Sequence, residues 1–156
     1  MTLAARVLDA ARAQGAMIAT AESCTGGLII GALTDIAGSS DVVDRGFVTY
    51  SNAAKMQMLG IDPDTLQTHG AVSEEVAAEM ATGALQRSQA QYAVAVTGIA
   101  GPGGSEHKPE GRVCFGLAGP KGLQLETVEF GAIGRAQVRA ATVEYALTLL
   151  LAALTR

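Results

Sequence analysis

The segment Met17-Ile18-Ala19-Thr20-Ala21-Glu22-Ser23-Cys24-Thr25-Gly26-Gly27, followed by the apolar run Leu28 to Leu33, decides how this chain reads. A short apolar strand from Met17 to Ala21 ends in a tight turn that opens a helix from Gly26 to Ile36. The turn holds a carboxylate, three groups able to act as nucleophiles, and two glycines. Such a turn directs free backbone N–H groups and the positive end of a helix dipole at whatever lies in front of it. A side chain held there can attack a carbonyl while the N–H groups stabilise the oxyanion. Helix capping explains the same segment equally well, because Ser and Thr are preferred caps and glycines let the backbone turn.

Outward from this segment, helical and strand patterns alternate. Leu3, Val7, Leu8 and Ala11 form a stripe on a first helix that Gly15 ends. Phe47 to Tyr50 reads as a strand, and Ser51 or Asn52 caps a short helix through Leu59. Pro63 opens another turn of helix. Ser73 caps a long helix to about Ser88. Tyr92 to Thr97 reads as a buried strand, Gly98 to Gly111 as a loop, and residues 112–118 and 123–130 as a hairpin. A last helix runs from about Arg135 to Leu154. This alternation predicts a three-layer α/β/α sandwich around a mixed, mostly parallel sheet of about five strands. Sites in such sheets gather at the carboxyl ends of parallel strands. The strand ends at residues 22–25, 49–55 and 97–105 are therefore expected to converge.

Composition sets limits. One domain spanning residues 1–156 suits this length. Hydrophobic residues make up 49%, charged residues 17% and aromatics 4% with no Trp, so the core is expected to be small and aliphatic. A net charge of −4 argues against a general nucleic-acid binder. The apolar stretch near Leu147 to Leu154 is too short and interrupted to predict a membrane span. Residues 1–14 carry Arg6, Asp9 and Arg12 and do not read as a signal peptide. Cys24 and Cys114 form no pair motif, which suits free thiols in the cytoplasm. His69 and His107 have no metal-ligand spacing.

Lys55 has two readings. It is a solvated helix lysine, or a base desolvated among small neighbours. Serving as a base near neutral pH requires a pKa lowered by about 2–3, which costs roughly 3–4 kcal/mol. The glycines of the 98–111 loop let backbone approach a ligand, and the loop lacks the Gly-Lys-Ser/Thr of a P-loop. A plain connection is its alternative.

Five collinear motifs resemble one family. They are TAESCTGG at 20–27, DIAGSS at 35–40, GFVTYSNAAK at 46–55, HGAVSEEV at 69–76 and AVTGIAGPGGS at 95–105, with a weaker match at Lys108-Pro109-Glu110-Gly111, Arg135 and Arg139. The chain resembles the CinA carboxy-terminal domain, the nicotinamide-nucleotide amidase family, in its stand-alone form. Glu110 departs from the resemblance, where a small apolar residue is expected.

The resemblance implies hydrolysis of the carboxamide of nicotinamide mononucleotide by a Ser/Lys dyad, with no metal or cofactor. It also points to a homodimer as partner state, with a nucleotide as the small-molecule partner. The roles expected are Ser23 as nucleophile, Lys55 as base, and Tyr50 orienting Lys55 or the proton path. Backbone N–H groups of Thr25, Gly26 and Gly27 would bind the oxyanion. Thr97, Gly98 and Gly101 would shape the nucleotide pocket. Arg135 or Arg139 would hold the phosphate, and Glu22 a ribose hydroxyl or the lysine. Ser51, four residues before Lys55, and Cys24 rival Ser23 as nucleophile, although a cap and an inert buried thiol explain them better. Two other functions stay open: a nucleotide-sensing module linked to competence or DNA damage, and an amidase for another small amide.

Overall fold

The computed structural model describes all 156 residues. Helix α1 (Leu3–Gln14) precedes β1 (Ile18–Glu22) and α2 (Leu28–Thr34). A 3-10 turn at Ser39–Asp41 leads to β2 (Val43–Val48), then α3 (Asn52–Leu59), α4 (Pro63–His69) and α5 (Glu74–Gln86). Strands β3 (Tyr92–Gly98), β4 (Arg112–Gly119) and β5 (Gly122–Glu129) follow, and α6 (Arg135–Leu154) closes the chain.

The sheet order is β2-β1-β3-β4-β5. β1 pairs in parallel with β2 and β3, while β3–β4 and β4–β5 are antiparallel. Four strands thus share one direction, and β4 alone opposes them. The chain leaves β1 for β2 on one side and later enters β3 on the other. The carboxyl ends of β1 and β3 therefore border the switch point where α/β proteins place their sites.

The period of two along the strands sorts the core into unequal faces. Ile18, Val94, Val96, Phe115 and Leu117 pack with buried residues of α1, α2 and α6. Ala19, Ala21, Ala93 and Ala95 face α5 through Val76, Met80, Ala81 and Ala84. These alanines let α5 ride close to the sheet. A Cβ at Gly116 would stand 2.5 Å from the Ala77 carbonyl oxygen, so no other residue fits there. By length and composition, α6 could cross a membrane. Here its Val138, Ala146, Leu147, Leu150 and Leu154 are buried in the core.

Three boundaries differ from expectation. β2 begins at Val43, because this polar edge strand shows no apolar alternation. It stops at Val48, which leaves Thr49 and Tyr50 beyond the strand. α2 starts at Leu28, because Gly26 and Gly27 have φ of 60° and 107° and shape the turn ahead of it.

Candidate active site

The turn after β1 is built around Glu22. This fully buried carboxylate accepts from the Thr25 hydroxyl at 2.6 Å and the N–H groups of Ile29 and Ile30 at 2.8 and 2.9 Å. The Thr20 hydroxyl adds a fourth bond at 3.2 Å. Gly27, at the N-cap, offers no side chain, so Glu22 caps α2 from the strand. Neither Ser23 nor Thr25 is the cap. On the other side, Arg139 donates to the carbonyl oxygens of Cys24 and Thr25 at 3.1 and 3.2 Å. Ser23 itself is fixed by its N–H, which donates to the Val96 carbonyl at 3.1 Å.

Lys55 meets this turn from α3, whose Ser51 caps it by accepting from the Ala54 N–H at 3.0 Å. The lysine is 1% exposed, and its Nζ lies 2.9 Å from Ser23 Oγ. The same nitrogen donates to the carbonyls of Thr49 at 3.0 Å and Tyr50 at 3.2 Å. Burial pushes the Lys55 pKa below its ordinary 10.5, with smaller opposing effects from Cys24 and then Glu106. A neutral amine has two N–H bonds and one lone pair. If Lys55 is neutral and gives both protons to the two carbonyls, its lone pair is left for the Ser23 hydroxyl. The geometry suits proton transfer from Oγ to Nζ.

Above this pair opens a cavity of about 330 Å³. Ser23 and Cys24 lie at one end, with Tyr50, Asn52 and Lys55 beside them. Thr97 and the loop from Gly98 to Glu106 form a second wall. Ala71 and Val72 from the α4–α5 connection, Lys108 and Arg135 complete it. The three strand ends converge as expected. No three His, Cys, Asp or Glu side chains gather in an arrangement that would hold a metal ion.

Several expected roles require correction. Glu22 does not line the cavity: its oxygens are used inside the turn, and it makes no hydrogen bond to Lys55. The Gly26 N–H donates to the Ser23 carbonyl at 3.1 Å and is withdrawn from any oxyanion. Thr25 and Gly27 keep N–H groups without a protein acceptor, but neither residue lines the cavity. Cys24, which does line it, also has a free N–H. Tyr50 serves Lys55 through its carbonyl, while the residue is 61% exposed and its hydroxyl accepts from Arg135 at 3.1 Å. The Thr97 hydroxyl on the cavity wall donates to the Ala71 carbonyl at 2.8 Å. The arginines separate: Arg135 faces the cavity, and Arg139 braces the turn. The Cys24 thiol is pushed up to about 11 by burial, which keeps it protonated and weakly nucleophilic.

Sequence reading missed the Thr49 carbonyl and the Cys24 N–H, since backbone groups leave no mark in residue type. It also missed Lys108, whose ammonium donates to the His69 and Val72 carbonyls, both at 2.6 Å. The weak Lys-Pro-Glu-Gly motif was its only signal.

Fold and site define a class: a three-layer α/β/α protein with a buried serine–lysine pair flooring a polar cavity at the carboxyl edge of a mixed sheet. The chain belongs to the CinA C-terminal domain family, whose sequence pattern matches residues 1–154. It is 52% identical over 151 residues to nicotinamide-nucleotide amidohydrolase PncC of Escherichia coli (strain K12), covering 96% of this chain and 92% of that one. It is 60% identical over 121 residues to a CinA-like protein of Chlorobium phaeobacteroides (strain BS1), covering 75% of this chain and 29% of that protein. The crystal structure of the competence/damage inducible protein CihA from Agrobacterium tumefaciens superposes with a TM-score of 0.94 at 55% identity, covering 99% and 94% of the two chains. The competence damage-inducible protein A (ComA) from Klebsiella pneumoniae gives 0.95 at 39% identity, covering 99% and 96%.

Proposed function

We propose that residues 1–156 act as one amidohydrolase domain that converts nicotinamide mononucleotide to nicotinic acid mononucleotide and ammonia. The observation that carries the reading is the 2.9 Å contact between Ser23 Oγ and the buried Lys55 Nζ. The name of the Escherichia coli relative supports the substrate.

In this mechanism Ser23 Oγ attacks the carboxamide carbon while its proton passes to Lys55 Nζ. The carbonyl π pair moves onto oxygen, where the Cys24 N–H, which has no backbone acceptor and belongs to a residue lining the cavity, would serve as a donor for the oxyanion. Collapse re-forms the carbonyl and breaks the C–N bond. The leaving nitrogen takes the proton from Lys55 and departs as ammonia. Water then attacks the ester, Lys55 accepts its proton, and that proton returns to Ser23 Oγ as the acid leaves. Arg135 and Lys108 provide positive charge on the cavity wall for the substrate phosphate.

The test is ammonia release from purified protein with nicotinamide mononucleotide, nicotinamide and glutamine. The expected result is release from the mononucleotide with matching acid formation, unchanged by chelator. Ser23→Ala should lower the rate by at least about 10³-fold while leaving the Tm intact. Activity abolished by chelator and restored by zinc would overturn the mechanism. Binding of the mononucleotide without turnover would favour the sensing module instead.

A further inference from the structure

The loop from Gly98 to Gly111 forms one wall of the cavity, and its tip is closed by a reciprocal pair of backbone hydrogen bonds between Ser105 and Lys108. Gly101 and Gly103 have φ of 90° and 82°, a conformation that glycine adopts without strain. The chain after the loop is firmly tied. The Gly111 N–H donates to the Ile99 carbonyl at 2.7 Å, and the Phe130 N–H donates to the Gly111 carbonyl at 2.9 Å. Glu110 stands on that tied segment and reaches back across the neck of the loop. Its Oε1 accepts from the Gly103 N–H at 2.6 Å. Its Cγ, Cδ and Oε2 lie against Gly101 so closely that a Cβ there would sit 2.6 to 2.8 Å from them.

Gly101 is also where Arg135 is held. Arg135 Nη1 donates to the Gly101 carbonyl at 2.7 Å, and Nη2 donates to the Tyr50 hydroxyl at 3.1 Å. Glu110 makes no ion pair, with Arg135 or any other residue. It is anchored by the Gly103 N–H and by packing on Gly101, with its charge a separate matter.

We propose that Glu110 is a positioning residue: it clasps the Gly101–Gly103 turn so that the Gly101 carbonyl holds Arg135 at the cavity mouth. This rests on the amidohydrolase reading, with Arg135 as a cation for the substrate phosphate. Glu110 lies outside the cavity and touches no reacting atom. Its action runs through the loop carbonyl to the guanidinium. Releasing the clasp frees the glycine turn, and Arg135 loses the fixed acceptor that aims it. Affinity for the phosphorylated substrate then falls, while the Ser23–Lys55 pair on the opposite wall is untouched.

Two variants separate the hydrogen bond from the charge. Glu110→Ala removes both, and Glu110→Gln keeps an acceptor for Gly103. Glu110→Ala should raise KM for nicotinamide mononucleotide about three- to ten-fold, the range one hydrogen bond commands, with kcat within about two-fold of wild type. Glu110→Gln should return KM to within about two-fold of wild type, since an amide oxygen also accepts one bond. Hydrogen exchange of the Gly103 amide, read by NMR, should quicken in Glu110→Ala alone. An unchanged KM in Glu110→Ala overturns the proposal. A KM that falls in both variants overturns it too, because repulsion of phosphate by the carboxylate would then be the main effect. Should the wild type release no ammonia, the amidohydrolase reading falls, and exchange decides on the clasp. Equal Gly103 exchange in wild type and Glu110→Ala would then sink it.

Discussion

The two walls of the cavity are built on opposite plans. The Ser23 turn is buried and tied from three sides. Glu22 holds it from beneath, Arg139 from α6, and the Val96 carbonyl from the neighbouring strand. The facing loop at 102–107 is exposed, rich in glycine, and held by Glu110 and Lys108 at its neck. Where a bond is to be attacked, the geometry must hold to a fraction of an ångström. Where a ligand must enter and leave, a wall of few bonds suffices. Cost follows the same division. The braced wall contains a lysine buried with no carboxylate hydrogen-bonded to it, and burial of that kind lowers stability, a cost retained where function requires it.

The largest effect should come from the lysine. Lys55→Met keeps the length and apolar stem and removes the proposed base, so kcat should fall about 10²- to 10⁴-fold. Lys55→Arg should do nearly the same, since a guanidinium keeps its proton. Stability should move the other way. The folded pKa of Lys55 lies below its ordinary 10.5, so between these two values the unfolded chain binds more protons. The stability cost is therefore full below the folded pKa and is relieved as pH rises towards 10.5. Lys55→Met should thus melt at a higher temperature than wild type near neutral pH, with the gap narrowing in alkali. Wild-type kcat/KM should fall as pH drops through the lowered pKa and the amine takes a proton. Melting curves showing Lys55→Met less stable across this range would break the contrast between the walls.

A second test weakens the brace itself. Glu22→Gln is nearly isosteric, but an amide offers one acceptor oxygen where the turn needs two. One of the Ile29 and Ile30 N–H groups then faces an NH₂ group. Loss of a charged hydrogen bond and a stranded donor should cost about 2–4 kcal/mol in denaturant unfolding. A displaced Ser23 should lower kcat by up to about 10²-fold with KM little changed. A variant with wild-type stability would show that the turn stands without its buried carboxylate.

The fold was legible because its elements announce themselves with end signals. Thr2, Ser51, Asp62 and Ser73 cap helices, Gly15 and Gly60 stop them, and the run from Tyr92 to Gly98 is apolar on both faces. β2 was legible only at its apolar end, since its pairing with β1 uses backbone groups that residue types do not reveal. In the site, residue chemistry and the resemblance singled out Ser23 and Lys55. Neither could tell that Tyr50 contributes a carbonyl to Lys55, because a ring invites a role for the ring. Nor could they separate Arg135 from Arg139. One helical turn apart on α6, the two reach different carbonyls, and only the packing of α6 decides which one meets the cavity.

The smallest effect belongs to Ser51, and it sharpens the contrast because Ser51 lies on neither wall. It stands four residues before Lys55, a spacing that puts both on one face of a continuous helix and makes it a rival nucleophile on paper. Ser51 lies at the N-cap with φ −87° and ψ 161°, however, and its hydroxyl accepts from the Ala54 N–H at 3.0 Å. The residue does not line the cavity. Ser51→Ala removes one cap from an eight-residue helix that carries Lys55. The expected loss is about 1 kcal/mol, or roughly 2–4 °C in Tm. Ser51→Asp restores a capping oxygen and should recover that loss. Activity should stay within about three-fold of wild type in both, because α3 remains held by Leu59 in the core and Lys55 by its three oxygen partners. A drop of about 10³-fold in Ser51→Ala, at unchanged Tm, would move the nucleophile from the braced turn to the start of α3 and dissolve the division between the walls.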